Sequence, residues 1–168
     1  MAPGLRRVRC GGGTMPEKET LRRARADKRE GKSPSTQAGE FVREEIHHVR
    51  EGKHGARSAK QAIAIGLSKA RRAGVHLPSP PASASESTKR SAKSARRRAN
   101  SRKPTSTKRA RASSRRLKRE PRSTASRSAL SRQAKTAARR RSQSSRSAAA
   151  RKAARTRKRT QGQGAEAR

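Results

Sequence analysis

Aromatic side chains are almost absent from this chain. Its 168 residues include no Trp, no Tyr and one Phe, Phe41. Hydrophobic residues make up 27%, and many of them are Ala. So few large apolar groups cannot offset the entropy of ordering the whole chain around one core. One small folded unit is the most that the composition supports. The lack of aromatics also argues against a platform on which single-stranded bases stack. A single cysteine, Cys10, excludes an internal disulfide. No apolar run approaches the roughly 18–20 residues of a membrane span. No apolar segment follows Arg6, Arg7 and Arg9, as a signal peptide would require. A soluble cytoplasmic protein is therefore expected.

Acidic residues are scarce as well, 11 against 48 Lys plus Arg, for a net charge of +37. The imbalance is uneven. Residues 16–78 hold 15 basic and 8 acidic groups, whereas residues 79–168 hold 30 basic groups and only Glu86, Glu120 and Glu166. The middle is a mixed-charge, foldable segment, and the C-terminal half is a polycation. A partner with dense negative charge is the expected reason for such a balance.

The clearest folded element is SAKQAIAIGLSKARRAG, Ser58 to Gly74. Ser58 suits a helix N-cap, and Gln61 completes a capping-box pattern. Ile63, Leu67 and Ala70 recur on one face, widened by Ala62 and Ile65. Lys69, Arg71 and Arg72 crowd the last turn, Gly74 fits a left-handed C-terminal position and Pro78 comes soon after. A second amphipathic helix is expected from about Gln37 to Glu51, capped by Ser35 or Thr36. Phe41, Val42, Ile46 and Val49 form its stripe, with Arg43, Glu44 and Glu45 on other faces. A turn at Gly52 to Gly55 makes the pair a helical hairpin, onto which Val75 and Leu77 fold back. An upstream helix begins near Pro16 and ends at Glu30, before Gly31 and Pro34. Its only large apolar side chain is Leu21, so it should fray. The fold class read from this is mainly α: a small, marginal helical hairpin or three-helix unit over 15–77. Self-association or a protein partner through 37–77 would complete it.

Pro78, Pro80 and Pro81 mark a hinge. Residues 82–168 are Ser, Ala, Arg, Lys and Thr in low-complexity order and are expected to be a disordered polycationic tail. Like-charge repulsion opposes helix there, and 129–141 and 146–159 would turn helical only once phosphates neutralise them.

The block Lys60–Gly74, with Lys53-His54-Gly55 before it and a basic tail after it, resembles a family of small basic bacterial proteins of unknown function. The hallmark of that family is close to KQAIAIALSEARKAG. The resemblance covers somewhat over a third of the chain. It implies a bacterial setting and, loosely, DNA binding. The resemblance implies a beginning near Met15, so residues 1–14 are expected to be a disordered upstream extension that follows from a start assigned too early. The tail also resembles histone-like and linker-histone tails in composition.

The chemistry comes from the cations. Those expected to meet phosphates are Lys60, Lys69, Arg71 and Arg72 in the helical unit. In the tail they are Arg96, Arg97, Arg98, Lys108, Arg109, Arg111, Arg115, Arg116, Lys118, Arg119, Arg139, Arg140, Arg141, Arg151, Lys152, Arg155, Arg157, Lys158 and Arg159. Arg predominates, which favours bidentate phosphate contact. Affinity should fall steeply with salt. The spacings Glu44-x-x-His47 and Glu45-x-x-His48, with His54 nearby, invite a metal reading. Because His47 and His48 point about 100° apart on a helix, an exposed mixed-charge helix is the expectation and no metal site is assigned. No phosphate-cradling Gly loop and no Ser/His/Asp set is present, so no enzyme, catalytic residue, cofactor or small-molecule substrate is expected. The function expected is sequence-nonspecific DNA binding of a nucleoid-associated, histone-like kind. The alternatives are a protein-interaction module tethered to nucleic acid by its tail, or an RNA- or ribosome-associated protein.

Overall fold

Three helices each end on a glycine with a left-handed backbone, and these three stops define the first half of the fold. The computed structural model describes residues 16–99, 101 and 106–165, with side chains described as far as Arg157. The extension expected over 1–14 lies outside these residues. The helices are α1 (Lys18–Arg29), α2 (Pro34–Arg50), α3 (Ala59–Arg72), α4 (Glu86–Ala99), α5 (Thr107–Lys118), α6 (Arg127–Arg139) and α7 (Gln143–Ala165). A 3-10 turn spans Ser123–Ala125, and no strand occurs among the described residues. The fold is mainly α, as expected. The chain divides into two compact units, the first ending at Ser126 and the second beginning at Arg127.

In the first unit α2 is central and packs against both α1 and α3, while α4 covers another side of α3. At the end of α3 the amide of Gly74 donates to Arg71 and that of Val75 to Ala70, a Schellman closure. The same pair of bonds closes α1 at Gly31 and α2 at Gly52. These glycines have φ of 68°, 77° and 88°, where a Cβ is strained.

The starts of the helices depart from expectation in two places. Ser58 caps α3 as expected, its hydroxyl accepting from Gln61 N–H at 3.2 Å. The Gln61 side chain reaches back to the amide of Arg57 at 2.8 Å rather than to that of Ser58. For α2 the cap is Ser33, not Ser35 or Thr36. Pro34 begins the helix instead of ending the segment before it, because its fixed φ suits the first helical position.

Two apolar clusters form the core. Ala24, Ala38, Phe41, Ala70 and Leu77 make one, flanked by Leu21, Leu67 and Val75. Val49, Ala56, Ala62 and Ala125 make the other, flanked by Ile46. Helix α1 is therefore docked rather than frayed: Thr20 and Ala24 are buried and Arg23 pairs with Glu40 at 3.0 Å. The buried face of α3 is Ala59, Ala62, Gly66, Lys69 and Ala70, with Ile63, Ile65 and Leu67 half-buried. At Gly66 the backbones cross so closely that a Cβ would stand 2.7 Å from Val42 Cα.

The tail was expected to be disordered after residue 82, and the described part of it differs. It is helical over α4 to α7. Ala, Arg, Lys and Gln are strong helix formers, and serines supply the caps. Ser85 accepts from Thr88 N–H at 3.3 Å and Ser142 from Ser145 N–H at 3.2 Å. Nor does the first compact unit end at the Pro78–Pro81 stretch. Gly55 N–H donates to Leu117 O at 2.8 Å and Ala56 N–H to Pro121 O at 3.1 Å. Arg50 Nε donates to Ala125 O at 2.8 Å, and Thr124 Oγ1 to Ala56 O at 2.9 Å. Ala125, fully buried, is the apolar anchor of this strap. The second unit holds α6 and α7; no residue of α6 is buried, and the described side chains of α7 are exposed or half-exposed.

Candidate functional site

Two features carry chemistry: a buried charge cluster between α2 and α3, and the exposed cations of α4 to α7. The cluster arises because α3 presents small residues to α2. Ala59, Ala62, Gly66 and Ala70 let the helices approach, and the long Lys69 side chain runs into the space between them. Glu44 and Glu45, expected on outward faces, are buried there at 6% and 0% exposure, and Lys69 is 2% exposed. Lys69 Nζ lies 3.1 Å from Glu44 Oε1 and 2.8 Å from Glu45 Oε2. Glu44 Oε2 also accepts from the amide of Glu17 at 3.2 Å.

On the other side of Glu45 stand two histidines. His54 Nε2 is 3.2 Å from Glu45 Oε1, while its Nδ1 lies 3.0 Å from the carbonyl of Gly55. His48 packs edge-on to His54, with ring centroids 6.1 Å apart. Its Nε2 is 2.8 Å from Glu17 Oε1, and its Nδ1 is 4.0 Å from Glu44 Oε1. Lys53 reaches the same Glu17 oxygen at 3.1 Å. The His48 hydrogen bond, followed by that of Lys53, holds the Glu17 carboxyl below the ordinary carboxylate range. Glu45 itself has ionic neighbours at close range, His54 at Oε1 and Lys69 at Oε2. Neither of its buried oxygens receives a directed hydrogen bond.

The expectation that α2 carries an exposed mixed-charge surface here is thus corrected. His47 does lie outside and pairs with Glu51 at 2.9 Å. His48 turns inward to meet His54, a residue of the following turn rather than of the helix. The i, i+3 spacing of Glu45 and His48 was the signal available in the sequence; the convergence of His54 depends on how the 52–57 segment is held.

Among the expected phosphate-binding cations, Lys69 is misplaced, because its ammonium is spent inside the cluster. Lys60 is exposed. Arg71 and Arg72 are half-buried, and burial pushes both guanidinium pKa values down, with Arg98 adding to the effect on Arg72. Arg72 Nε donates to Ser68 O at 3.2 Å. Arg96, Arg97 and Arg98 are exposed on α4, whose buried residue is Ala95. Lys108, Arg109, Arg111, Arg115, Arg116 and Lys118 are all exposed on α5, and Arg119 comes directly after it, also exposed. In the second unit Arg139, Arg140, Arg141, Arg151, Lys152, Arg155 and Arg157 are exposed. The side chains of Lys158 and Arg159 lie outside those described. No described helix is long and apolar enough to cross a membrane.

No curated protein and no solved structure matches the chain. Residues 26–80, which run from within α1 past the end of α3, match the model of a family of unknown function (DUF6496).

Proposed function

We propose that this protein binds duplex DNA without sequence preference, through phosphate contacts, as a nucleoid-associated, histone-like factor. The observation that supports it most is α5. Six of its twelve residues are Lys or Arg, none is acidic and none is buried. Among the described residues its cations form no salt bridge with a carboxylate. Each such charge is free to release a counterion from a phosphate, the dominant sequence-independent term in DNA affinity. Helix α7 adds a second basic surface in the other unit. At 23 residues it is about 34 Å long, close to one turn of a duplex.

The helical conformation bears on the mode of binding. A coil must lose chain entropy when it lies along phosphates, whereas a helix presents its guanidinium groups at fixed intervals. With no aromatic in α4 to α7, base stacking is not part of the mechanism. Within the first unit, α4 rests on α3, and the strap over 117–125, which follows α5, closes on α2 and the 55–56 backbone.

The test is fluorescence anisotropy of the full chain on three unrelated duplexes and a matched RNA hairpin over a range of salt. Equal affinities for the duplexes, with log K falling linearly against log salt, are expected. Tenfold or greater preference for the RNA at every salt would replace this reading with RNA association. Loss of binding at near-physiological salt would leave the protein-interaction reading.

A further inference from the structure

We propose that Glu45, His48 and His54 form a binding site for one divalent transition-metal ion of the zinc class. One ligand atom from each residue comes within 4.8 Å of the other two. A carboxylate and two imidazoles are a donor set that first-row divalent ions, zinc above all, accept. Proximity alone would not carry the inference; three further observations do.

The first is the state of Glu45. It is fully buried, and both its oxygens lack a directed hydrogen bond. Buried carboxylate oxygens are normally satisfied, and one left unsatisfied needs an explanation such as an ion. The second is the division of contacts around the three residues. Glu45 Oε1 faces His54 Nε2, while Lys69 holds the other oxygen, Oε2, at 2.8 Å. His54 Nδ1 is engaged with the Gly55 carbonyl, which leaves Nε2 as the nitrogen turned to Glu45. Outer partners of this kind, a backbone carbonyl behind an imidazole and a charged group behind a carboxylate, orient metal ligands. Glu17, at 2.8 Å from His48 Nε2, is a further carboxylate within reach of the same set. The third is charge. Two buried carboxylates, Glu44 and Glu45, surround one buried ammonium, Lys69. The excess negative charge sits in a medium where an uncompensated ion is costly, and a dication against the imidazoles compensates it.

The position assigns the ion a job. It would tie α2 to the 52–57 turn that leads into α3, beside Gly55 and Ala56, where the strap from 117–125 is hydrogen-bonded. A small unit with few large apolar residues is the kind that a structural metal completes. This goes beyond DNA binding and does not depend on it.

The experiment uses the full chain with Cys10→Ser, so that no thiol competes, stripped with chelator and titrated with Zn2+ and with Co2+. A single equivalent should bind, giving visible Co2+ bands of nitrogen and oxygen ligation, and Zn2+ should raise the melting temperature. H48Q, H54Q and E45Q should each weaken binding by ~100-fold or more, beyond the loss of an outer partner. H47Q and H76Q remove exposed imidazoles and should leave it unchanged. Circular dichroism in chelator separates a lost ligand from a lost fold, and the wild-type Co2+ spectrum stands whether or not a variant folds. The proposal is overturned if the unsubstituted site takes up no metal with the protein folded, or if uptake survives H54Q and is lost in H47Q or H76Q.

Discussion

Lys69 Nζ lies 2.8 Å from Glu45 Oε2, and both side chains are sealed from solvent. This pair joins the middle of α2 to the last turn of α3, and the cation that the sequence offers to DNA is the one that the fold consumes. Breaking a buried pair by removing one partner leaves the other charge unpaired in a medium that cannot solvate it. Lys69→Ala should therefore destabilise the first unit by about 3–5 kcal/mol. Urea denaturation followed by circular dichroism measures it. A loss below about 1 kcal/mol, the usual value of an exposed pair, would mean that the cluster is open to water.

The strap over 117–125 makes a second prediction. Gly55 meets the Glu120 carbonyl so closely that a Cβ there would collide with backbone, which cannot swing away as a side chain can. Gly55→Ala should displace the strap and cost about 1–3 kcal/mol, the usual range for overpacking. Hydrogen exchange gives a local readout. The amides of Gly55 and Ala56, which donate to Leu117 and Pro121, should lose protection. Protection that persists in the variant would show that the strap is not seated as described.

A third prediction concerns acid. The Glu17 carboxyl is held below its ordinary range, chiefly by the His48 hydrogen bond and then by Lys53. A folded-state pKa that is depressed contributes stability above the unfolded value, near ~4.3 for Glu, and loses it as pH falls through the folded value. The stability gap between wild type and Glu17→Gln should thus be full near neutrality and close below about pH 4. Thermal melts of the two proteins between neutral and acid pH test this. A gap that stays constant with pH would assign the effect of Glu17 to packing instead.

Much of α3 was legible because its signals are local: Ser58 at the start, Gly74 at the stop and Ala or Ile between them. Phe41 and Val49 were legible as core for the same reason. The burial of Glu44 was not. Its partner Lys69 is 25 residues away, and nothing in a helical repeat distinguishes a carboxylate facing water from one facing an ammonium on another helix. The strap was illegible on similar grounds. Ala125 is one small residue in a basic stretch, and the bond from Arg50 to its carbonyl spans 75 residues. In the tail two local effects compete, the helix propensity of Ala and Arg against like-charge repulsion. Weighting repulsion gave disorder where the described residues are helical. As for the site, the Glu45-x-x-His48 spacing was visible. His54 joins it only through the turn geometry.

The last prediction separates exposed cations from spent ones. Arg115, Arg116 and Arg119 are exposed at the end of α5 and form no described salt bridge, in contrast to Lys69. If α5 meets DNA through phosphates, each lost contact should lower the slope of log K against log salt by about 0.9. Replacing all three arginines with Gln should weaken binding to every duplex alike and flatten the slope by up to ~2.7. Equal weakening is the informative part, since a phosphate carries no sequence information while a base edge does. A variant that loses affinity for one duplex and keeps it for another would place base readout in α5. A variant with an unchanged slope would move the contact surface to other helices, where the same substitution pattern at Arg139, Arg140 and Arg141 is the next measurement.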